Sequence, residues 1–236
     1  MKKVILKTIL IFAIGAIGGI FSDQILWPYL IEKPLFEEYN LDDDRPLNVT
    51  KKEEVVIEEN KALQNQVDKV SDVVIGIKTK TQSGTNLQGS GLILTSDGLI
   101  VTLSKLVPRN SKYNFLIEGK EVDHEILKRD PEAGLALVKL EKNDLSTAEF
   151  EDSLELGERV FLISKIGSKE IYTSVNQGIV KSKPNGEIKT NILEDAMVDG
   201  SPLFNIKGQI VGLNKKESSG KIISIPISEV REFSGF

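Results

Sequence analysis

From Val73 onward the chain is a series of short apolar segments separated by turn residues. They are Val73–Ile77, Leu92–Leu94, Leu99–Val101, Phe115–Ile117, Glu125–Leu127, Leu135–Val138, Val160–Ile163, Val175–Val180 and Ile222–Ile225. Many short strand-like segments with turn signals between them are typical of an all-β barrel or sandwich. The series therefore predicts an all-β domain over most of the chain.

A short helical pattern comes directly before this series. Leu63, Val67 and Val70 recur at the spacing of one helix face. The segment is too short for a coiled coil. It predicts one amphipathic helix that packs on the β domain.

The stretch from Lys189 to Asn214 combines two patterns. Its second half predicts a hairpin, with Pro202–Phe204 and Gln209–Leu213 on either side of the turn residues Asn205–Gly208. Its first half lacks clean alternation. We interpret that half as a loop that brings residues to the start of the hairpin.

The N-terminal residues 1–21 differ from the rest of the chain. Lys2, Lys3 and Lys7 lie at one end of an apolar run from Val4 to Phe21. As a helix, this run would measure about 27 Å, against about 30 Å for the hydrocarbon core of a membrane. It predicts a single-pass anchor in the cell membrane, with the lysine-rich end in the cytoplasm and the domain on the extracytoplasmic side. A cleaved signal peptide is the alternative.

Residues 22–60 contain prolines, an acidic run and little apolar periodicity, which predicts a linker. The predicted organisation is therefore an anchor over residues 1–21, a linker over 22–60 and the β domain over 61–236.

Composition excludes several classes of function. The chain has no cysteine, so it has no thiolate metal site, cysteine nucleophile or disulfide. A net charge of −5 provides no basic surface for nucleic acid. Phosphate-binding and dinucleotide-binding glycine motifs are also missing from the sequence. We therefore expect no cofactor, no bound metal and no nucleic-acid partner.

Five segments resemble, in order, motifs of the HtrA/Deg family of trypsin-like serine proteases. Gly89–Thr102, G-S-G-L-I-L-T-S-D-G-L-I-V-T, is similar to the family's G-S-G-V-I-I-S-S-D-G-Y-I-V-T. The others are Asp130–Lys139, Leu156–Val160, Gln177–Val180 and Ile225–Ile227. The resemblance extends from Leu63 to Phe233. It implies the two-barrel chymotrypsin/trypsin-like fold with a cleft between the barrels, and no PDZ domain within these 236 residues.

The resemblance also identifies the positions that hold the catalytic residues in the family. Its histidine falls on Lys105, its aspartate on Gly134 and its nucleophilic serine on Asp199, while its oxyanion loop falls on Met197 and Gly200. A serine protease of this class needs an imidazole base, an orienting carboxylate and oxyanion donors. The resemblance thus implies a degenerate site without catalytic residues.

The single histidine of the chain does not restore this chemistry. His124 lies in Val122–Glu125, outside all of the catalytic motifs. A Ser201–Lys105 dyad would be an unorthodox alternative. Three features argue against it: Ser201 falls on a strand entry, Met197 crowds the oxyanion turn, and Ile222 falls where a side chain would fill the specificity pocket.

The sequence therefore predicts a membrane-anchored, inactive trypsin-like domain. Its expected partners are an extended peptide or envelope protein, or a catalytic homologue in a mixed oligomer. An atypical HtrA-like endopeptidase acting on envelope proteins and a structural module without a ligand are the alternatives. Because Lys105 and Asp199 replace residues that touch in the family, we also predict a salt bridge between them within about 4 Å. The competing expectation is that both side chains point into water.

Overall fold

The computed structural model describes residues 2–22, 61–167, 170–194, 197–217 and 219–236. The chain divides into two compact units, Met1–Ile57 and Glu58–Phe236. In the first unit, the helix α1 comprises Lys2–Phe21. No helix in the described part of the chain combines the length and hydropathy of a membrane-crossing segment, so the transmembrane anchor is not confirmed. From residue 23 onward, the predicted linker lies outside the described residues.

The second unit begins with the predicted amphipathic helix, α2, whose described residues are 61–70. Val70 is buried, and Leu63 and Val67 pack against the same apolar core. This contact confirms that the apolar face of the helix packs on the β domain.

Seven antiparallel strands form the first sheet. They are β1 (Val74–Lys80), β2 (Asn86–Ile93), β3 (Leu99–Leu103), β4 (Lys112–Ile117), β5 (Lys120–Val122), β6 (His124–Asp130) and β7 (Leu135–Leu140). Their order is β5-β4-β1-β2-β3-β7-β6. The first of the two predicted barrels is therefore a half-barrel, whose outer strand β5 is only three residues long.

Six further strands close into a barrel. They are β8 (Arg159–Ile166), β9 (Tyr172–Ser182), β10 (Ile188–Leu193), β11 (Pro202–Asn205), β12 (Ile210–Lys216) and β13 (Lys221–Pro226), in the order β10-β13-β12-β11-β8-β9. The helix α3 (Ile227–Ser234) follows β13. The β11–β12 hairpin confirms the predicted one, and its turn is closed by the Gly208 N–H, which donates to the Asn205 carbonyl at 2.9 Å.

The interpretation of the segment before this hairpin as a loop is wrong over residues 189–193, which belong to β10 (Ile188–Leu193). Ile188, Thr190 and Ile192 are buried while the residues between them are more exposed, as expected of a half-buried strand. The register shifts between Lys189 and Thr190 on the β9 side, and between Lys189 and Leu193 on the β13 side. The sequence hides this alternation, because Thr190 is polar at a buried position and Leu193 is apolar at an exposed one.

Three apolar cores hold these layers together. One lies within the first sheet around Phe115, and a second lies within the barrel and includes Val198. The third is shared by both sheets, α2 and α3, and it includes the stacked rings of Phe161 and Phe204. Because the two sheets share a core, residues at their junction have fixed positions relative to each other.

Candidate functional site

Two short turns carry the residues at the junction of the sheets. After β3, a single 3₁₀ turn comprises Ser104–Leu106, and Thr79 anchors it by donating its hydroxyl to the Leu106 carbonyl at 2.6 Å. Before β11, a turn is closed by the Ser201 N–H, which donates to the Val198 carbonyl at 3.0 Å. Leu106 and Val198 are both buried, whereas the adjacent middle position of each turn is more exposed. These middle positions hold Lys105 and Asp199.

Lys105 and Asp199 form an ion pair. The Lys105 Nζ lies 2.7 Å from the Asp199 Oδ1, and the two side chains are 51% and 22% exposed. This distance confirms the predicted salt bridge, and the expectation that both side chains point into water is wrong. The Lys216 backbone N–H donates to the same carboxylate oxygen at 2.8 Å. Sequence reasoning missed this second donor, because a backbone N–H leaves no signal in a side-chain pattern.

The backbone beneath Asp199 is packed against the first sheet. Gly200 has a φ of +75°, and a Cβ at this position would lie 2.2 Å from the Ser90 carbonyl oxygen and 2.6 Å from the Thr102 Oγ1. The Ser90 N–H donates to the Asp199 carbonyl at 2.9 Å, and the Ser90 hydroxyl accepts from the Lys165 N–H of β8 at 2.9 Å. Ser90 therefore joins the first sheet both to the turn and to the barrel.

A chain of three buried polar side chains continues below the turn. The Asn214 Nδ2 donates to the Ser201 Oγ at 3.0 Å, and the Ser224 Oγ donates to the Asn214 Oδ1 at 2.6 Å. All three residues are fully buried. The Ser201 hydroxyl therefore lies under the turn and not at the cleft surface, contrary to what a Ser201–Lys105 dyad requires.

Gly134 lies beside the lysine turn. Its carbonyl accepts from the Ser104 N–H at 2.8 Å. Gly134 has a φ of +73°, and a Cβ added to it would meet only the Ile225 Cδ1, at 4.0 Å. A left-handed backbone favours glycine over residues with a side chain. Gly134, at the aspartate position of the family, therefore adjoins open space and has a backbone conformation that suits glycine.

This open space belongs to a cavity of about 700 Å³ next to Lys105. The charged side chains that line it are Lys105, Glu132, Glu187, Lys215 and Glu229. Lys215 and Glu187 form an ion pair of 2.6 Å in its wall. The lining therefore carries one more acidic group than basic groups.

His124 lies away from these residues. It pairs with Leu140, at the opposite end of β7 from Gly134. Six residues of strand separate the two ends, which corresponds to roughly 20 Å. The His124 ring packs 4.5 Å from the centroid of Phe115 and 6.0 Å from that of Tyr113. His124 therefore contributes to packing at the far end of the first sheet.

The two remaining family positions differ in burial. Met197 is about half exposed, and Ile222 is buried in the core of the barrel. Burial of Ile222 agrees with a specificity pocket that is filled by a side chain. Residues 195 and 196 of the oxyanion loop lie outside the described residues, so the effect of Met197 on that loop stays a prediction.

A second cavity, of about 240 Å³, has a lysine in its wall. The Lys165 Nζ donates to the Thr173 Oγ1 at 2.8 Å. Burial lowers the pKa of Lys165, while the charges of Asp72 and Glu118 act in the opposite direction. Burial disfavours the charged form of an amine. Lys165 was not predicted from the sequence, since one lysine in a strand has no distinctive pattern.

Comparisons with known proteins match the part of the chain that contains Lys105, Gly134 and Asp199. A family model described as "Trypsin-like peptidase domain" matches residues 89–213, just over half of the chain. A "Probable periplasmic serine endoprotease DegP-like" of Pseudomonas fulva (strain 12-X) is 34% identical over 140 residues, which cover 54% of this chain and 29% of that protein.

Two animal proteins give similar values. "Serine protease HTRA2, mitochondrial" of Bos taurus is 30% identical over 160 residues, or 61% of this chain and 35% of that protein. "Serine protease HTRA1" of Xenopus laevis is 31% identical over 163 residues, with the same two shares. The matched region spans about a third of the length of these relatives.

Proposed function

The chain belongs to the HtrA/Deg-type family of trypsin-like peptidases, and we propose that it is an inactive member whose cleft binds protein without cutting it. The observation that carries this proposal is the ion pair between Lys105 and Asp199 at 2.7 Å. In the family, these positions hold a base and a hydroxyl nucleophile. In this chain the same two positions hold an ammonium and a carboxylate, which form an ion pair.

The other groups around the cleft support an inactive site. A hydroxyl nucleophile must lie within hydrogen-bond reach of its base. Ser201 is fully buried, and its hydroxyl already accepts from Asn214. His124 lies at the far end of β7. Among the described residues, the cleft therefore offers no hydroxyl and imidazole positioned for acyl transfer.

The edge of β12 supports a binding role. Beyond Asn214, this strand pairs with β13 on one side through Lys215 and Lys216. On its other side, the Lys216 N–H is directed to the Asp199 carboxylate. Here β12 extends beyond its pairing with β11, and a backbone donor in this position fits the main-chain hydrogen bonding of an extended peptide or a segment of an envelope protein. A catalytic homologue is another partner of this kind.

Proteolysis of unfolded casein tests the absence of activity. We expect the full chain to leave casein intact under conditions in which an active relative degrades it, and to retain labelled casein in a pull-down. Cleavage that is lost in both Lys105→Met and Ser201→Ala variants would contradict the proposal. Failure to retain casein would remove the binding role but not the inactivity.

A triple variant tests whether the fold alone suffices for activity. Lys105→His, Gly134→Asp and Asp199→Ser together place the family's residues at their positions. We expect no family-like turnover, because Gly134 has a φ of +73° and an aspartate there is strained. Distortion of the oxyanion loop by Met197 would cost roughly a further 10²–10³ in rate for each lost donor. Robust turnover would show that the site needs only its three side chains.

We also propose that the domain is held at the extracytoplasmic side of the cell membrane. The support is the sequence pattern of an apolar run that ends at Phe21, with two lysines before it and a third near its start. The Pseudomonas relatives are named as periplasmic. Alkaline carbonate should leave the chain in the membrane fraction, and protease added to intact spheroplasts should digest the domain. Release by carbonate would remove the anchor, and digestion only after lysis would reverse the orientation.

A further inference from the structure

We propose that the Lys105 ammonium and the Lys216 N–H form a recognition site for the C-terminal carboxylate of an extended peptide, and that Asp199 occupies this site in the unbound chain. The inference rests on the proposed binding function and specifies which group of the ligand enters the cleft. Its basis is the convergence of both donors on one oxygen, at 2.7 Å and 2.8 Å.

The donor set selects a carboxylate. A neutral carbonyl that displaced Asp199 would satisfy the Lys216 N–H but would leave the Lys105 ammonium without its counterion. A second carboxylate replaces both interactions, because charge-assisted hydrogen bonds to an ionised acceptor are the stronger kind. A ligand with a carboxylate therefore exchanges with Asp199 at little cost to the donors.

The charges nearby favour a single terminal carboxylate over an acidic segment. Glu132 and Glu229 line the adjacent cavity, while Lys215 is already paired with Glu187. Additional negative charges on a ligand would therefore face carboxylates. A C-terminal carboxylate brings one charge to Lys105, and the rest of the peptide, which is uncharged, lies along the end of β12 beyond its pairing with β11.

Asp199 can leave the site without a change in the fold. The turn backbone is fixed independently of the side chain, through Ser90 on one side and the Gly200 N–H, which donates to the Asn214 carbonyl at 2.8 Å, on the other. The ion pair is partly exposed, and exposed pairs contribute little net stability. Rotation of one side chain into water is therefore enough to vacate the donors.

Peptide binding to the full chain, measured by fluorescence anisotropy, tests the site. The probe is a fluorescein-labelled peptide of six alternating valines and threonines, with either a free C-terminal carboxylate or a C-terminal amide. We expect the free acid to bind roughly two- to fivefold more tightly, the range that a partly exposed ion pair supports. Lys105→Met, or Lys105→Gln as a second neutral variant, should reduce the affinity for the acid to that for the amide.

Two further variants separate this site from general charge effects. Asp199→Ala removes the resident carboxylate and should raise the affinity for the acid roughly two- to fivefold, the range expected when a partly exposed pair no longer competes. Lys139→Met is the matched control, because it removes the 2.6 Å Lys139–Asp97 pair in the first sheet. Lys139→Met should change neither the affinity for the free acid nor that for the amide. Urea unfolding of each variant verifies that it is folded.

The outcomes distinguish the two proposals. Equal binding of acid and amide, or an effect of Lys139→Met as large as that of Lys105→Met, would overturn the carboxylate site while leaving peptide binding intact. Retention of casein without binding of either peptide would overturn only the carboxylate site. If the chain neither retained casein nor bound either peptide, the proposed binding function would be overturned as well. An amidated peptide that ends in glutamate should bind more weakly than the free acid, and tighter binding would overturn the choice of the C-terminus.

Discussion

The residues beneath the cleft and the residues at its mouth obey different constraints. Beneath the cleft, five polar side chains are fully buried and hydrogen-bonded: Ser90, Thr102, Ser201, Asn214 and Ser224. At the mouth, Lys105 is half exposed and Gly134 adjoins open space. A buried polar group must be paired to avoid a large cost, whereas an exposed group exchanges its partners with water.

This difference explains how a trypsin-like framework persists while the side chains at the family's catalytic positions change. The turn that carries Asp199 is positioned by its backbone, through Ser90, Gly200 and Asn214, and none of these contacts involves the Asp199 side chain. The side chain at the centre of the turn is therefore free to change. Stability and catalytic chemistry are separable here, because different atoms supply them.

The largest effect should come from filling the space beneath the turn. Gly200→Ala places a Cβ 2.2 Å from the Ser90 carbonyl oxygen on a left-handed backbone. Overpacking and backbone strain together should lower the free energy of unfolding by about 3 kcal/mol or more. Urea denaturation of the full chain, monitored by far-UV circular dichroism, measures this loss.

Gly157→Ala is the matched control for this variant. Gly157 has a φ of +82° and no atom within 4 Å of an added Cβ. It therefore isolates the backbone strain, which should cost about 1 kcal/mol. Equal losses in the two variants would mean that the close approach to Ser90 contributes nothing.

A smaller loss should follow from cutting the buried polar chain. Asn214→Ala leaves the hydroxyls of Ser201 and Ser224 without their partner in the interior. The expected loss is about 2 kcal/mol or more, because each of the two buried unpaired groups costs at least about 1 kcal/mol. Asn176→Ala is the control, since its amide donates to Leu193 and Glu194 at the surface of the barrel. If both variants lost the same stability, burial of the chain would have no energetic role.

The fold was predictable from sequence where burial gives a strong pattern. β7 and β8 each contain four consecutive apolar residues, Leu135–Val138 and Val160–Ile163, and both were expected as strands. β5, Lys120–Val122, was not expected, because it has one apolar residue among three. β10 was missed because a polar residue, Thr190, is buried in it and an apolar one, Leu193, is exposed, so the alternation of burial does not appear as an alternation of residue types.

The site was predictable where side chains meet and not where backbone or buried polar atoms act. The Lys105–Asp199 pair followed from the family positions and the attraction of opposite charges. The Lys216 N–H did not, since its direction depends on the pairing of β12 with β13. The link from Ser201 through Asn214 to Ser224 was also missed, because isolated Ser and Asn residues between apolar ones indicate turns as readily as buried partners.

The smallest effect should come from the ion pair at the mouth, measured by a double-mutant cycle of Lys105→Ala and Asp199→Ala. With the lysine half exposed, the coupling energy should stay below about 1 kcal/mol. It should approach zero in 1 M salt, where the Debye length is about 3 Å. The Asp199→Ala variant alone should lose more stability than Lys105→Ala, because only the aspartate also accepts from the Lys216 N–H. A salt-independent coupling above about 2 kcal/mol would mean that the pair behaves as a buried one, and the distinction between a fixed frame and an exchangeable mouth would then be wrong.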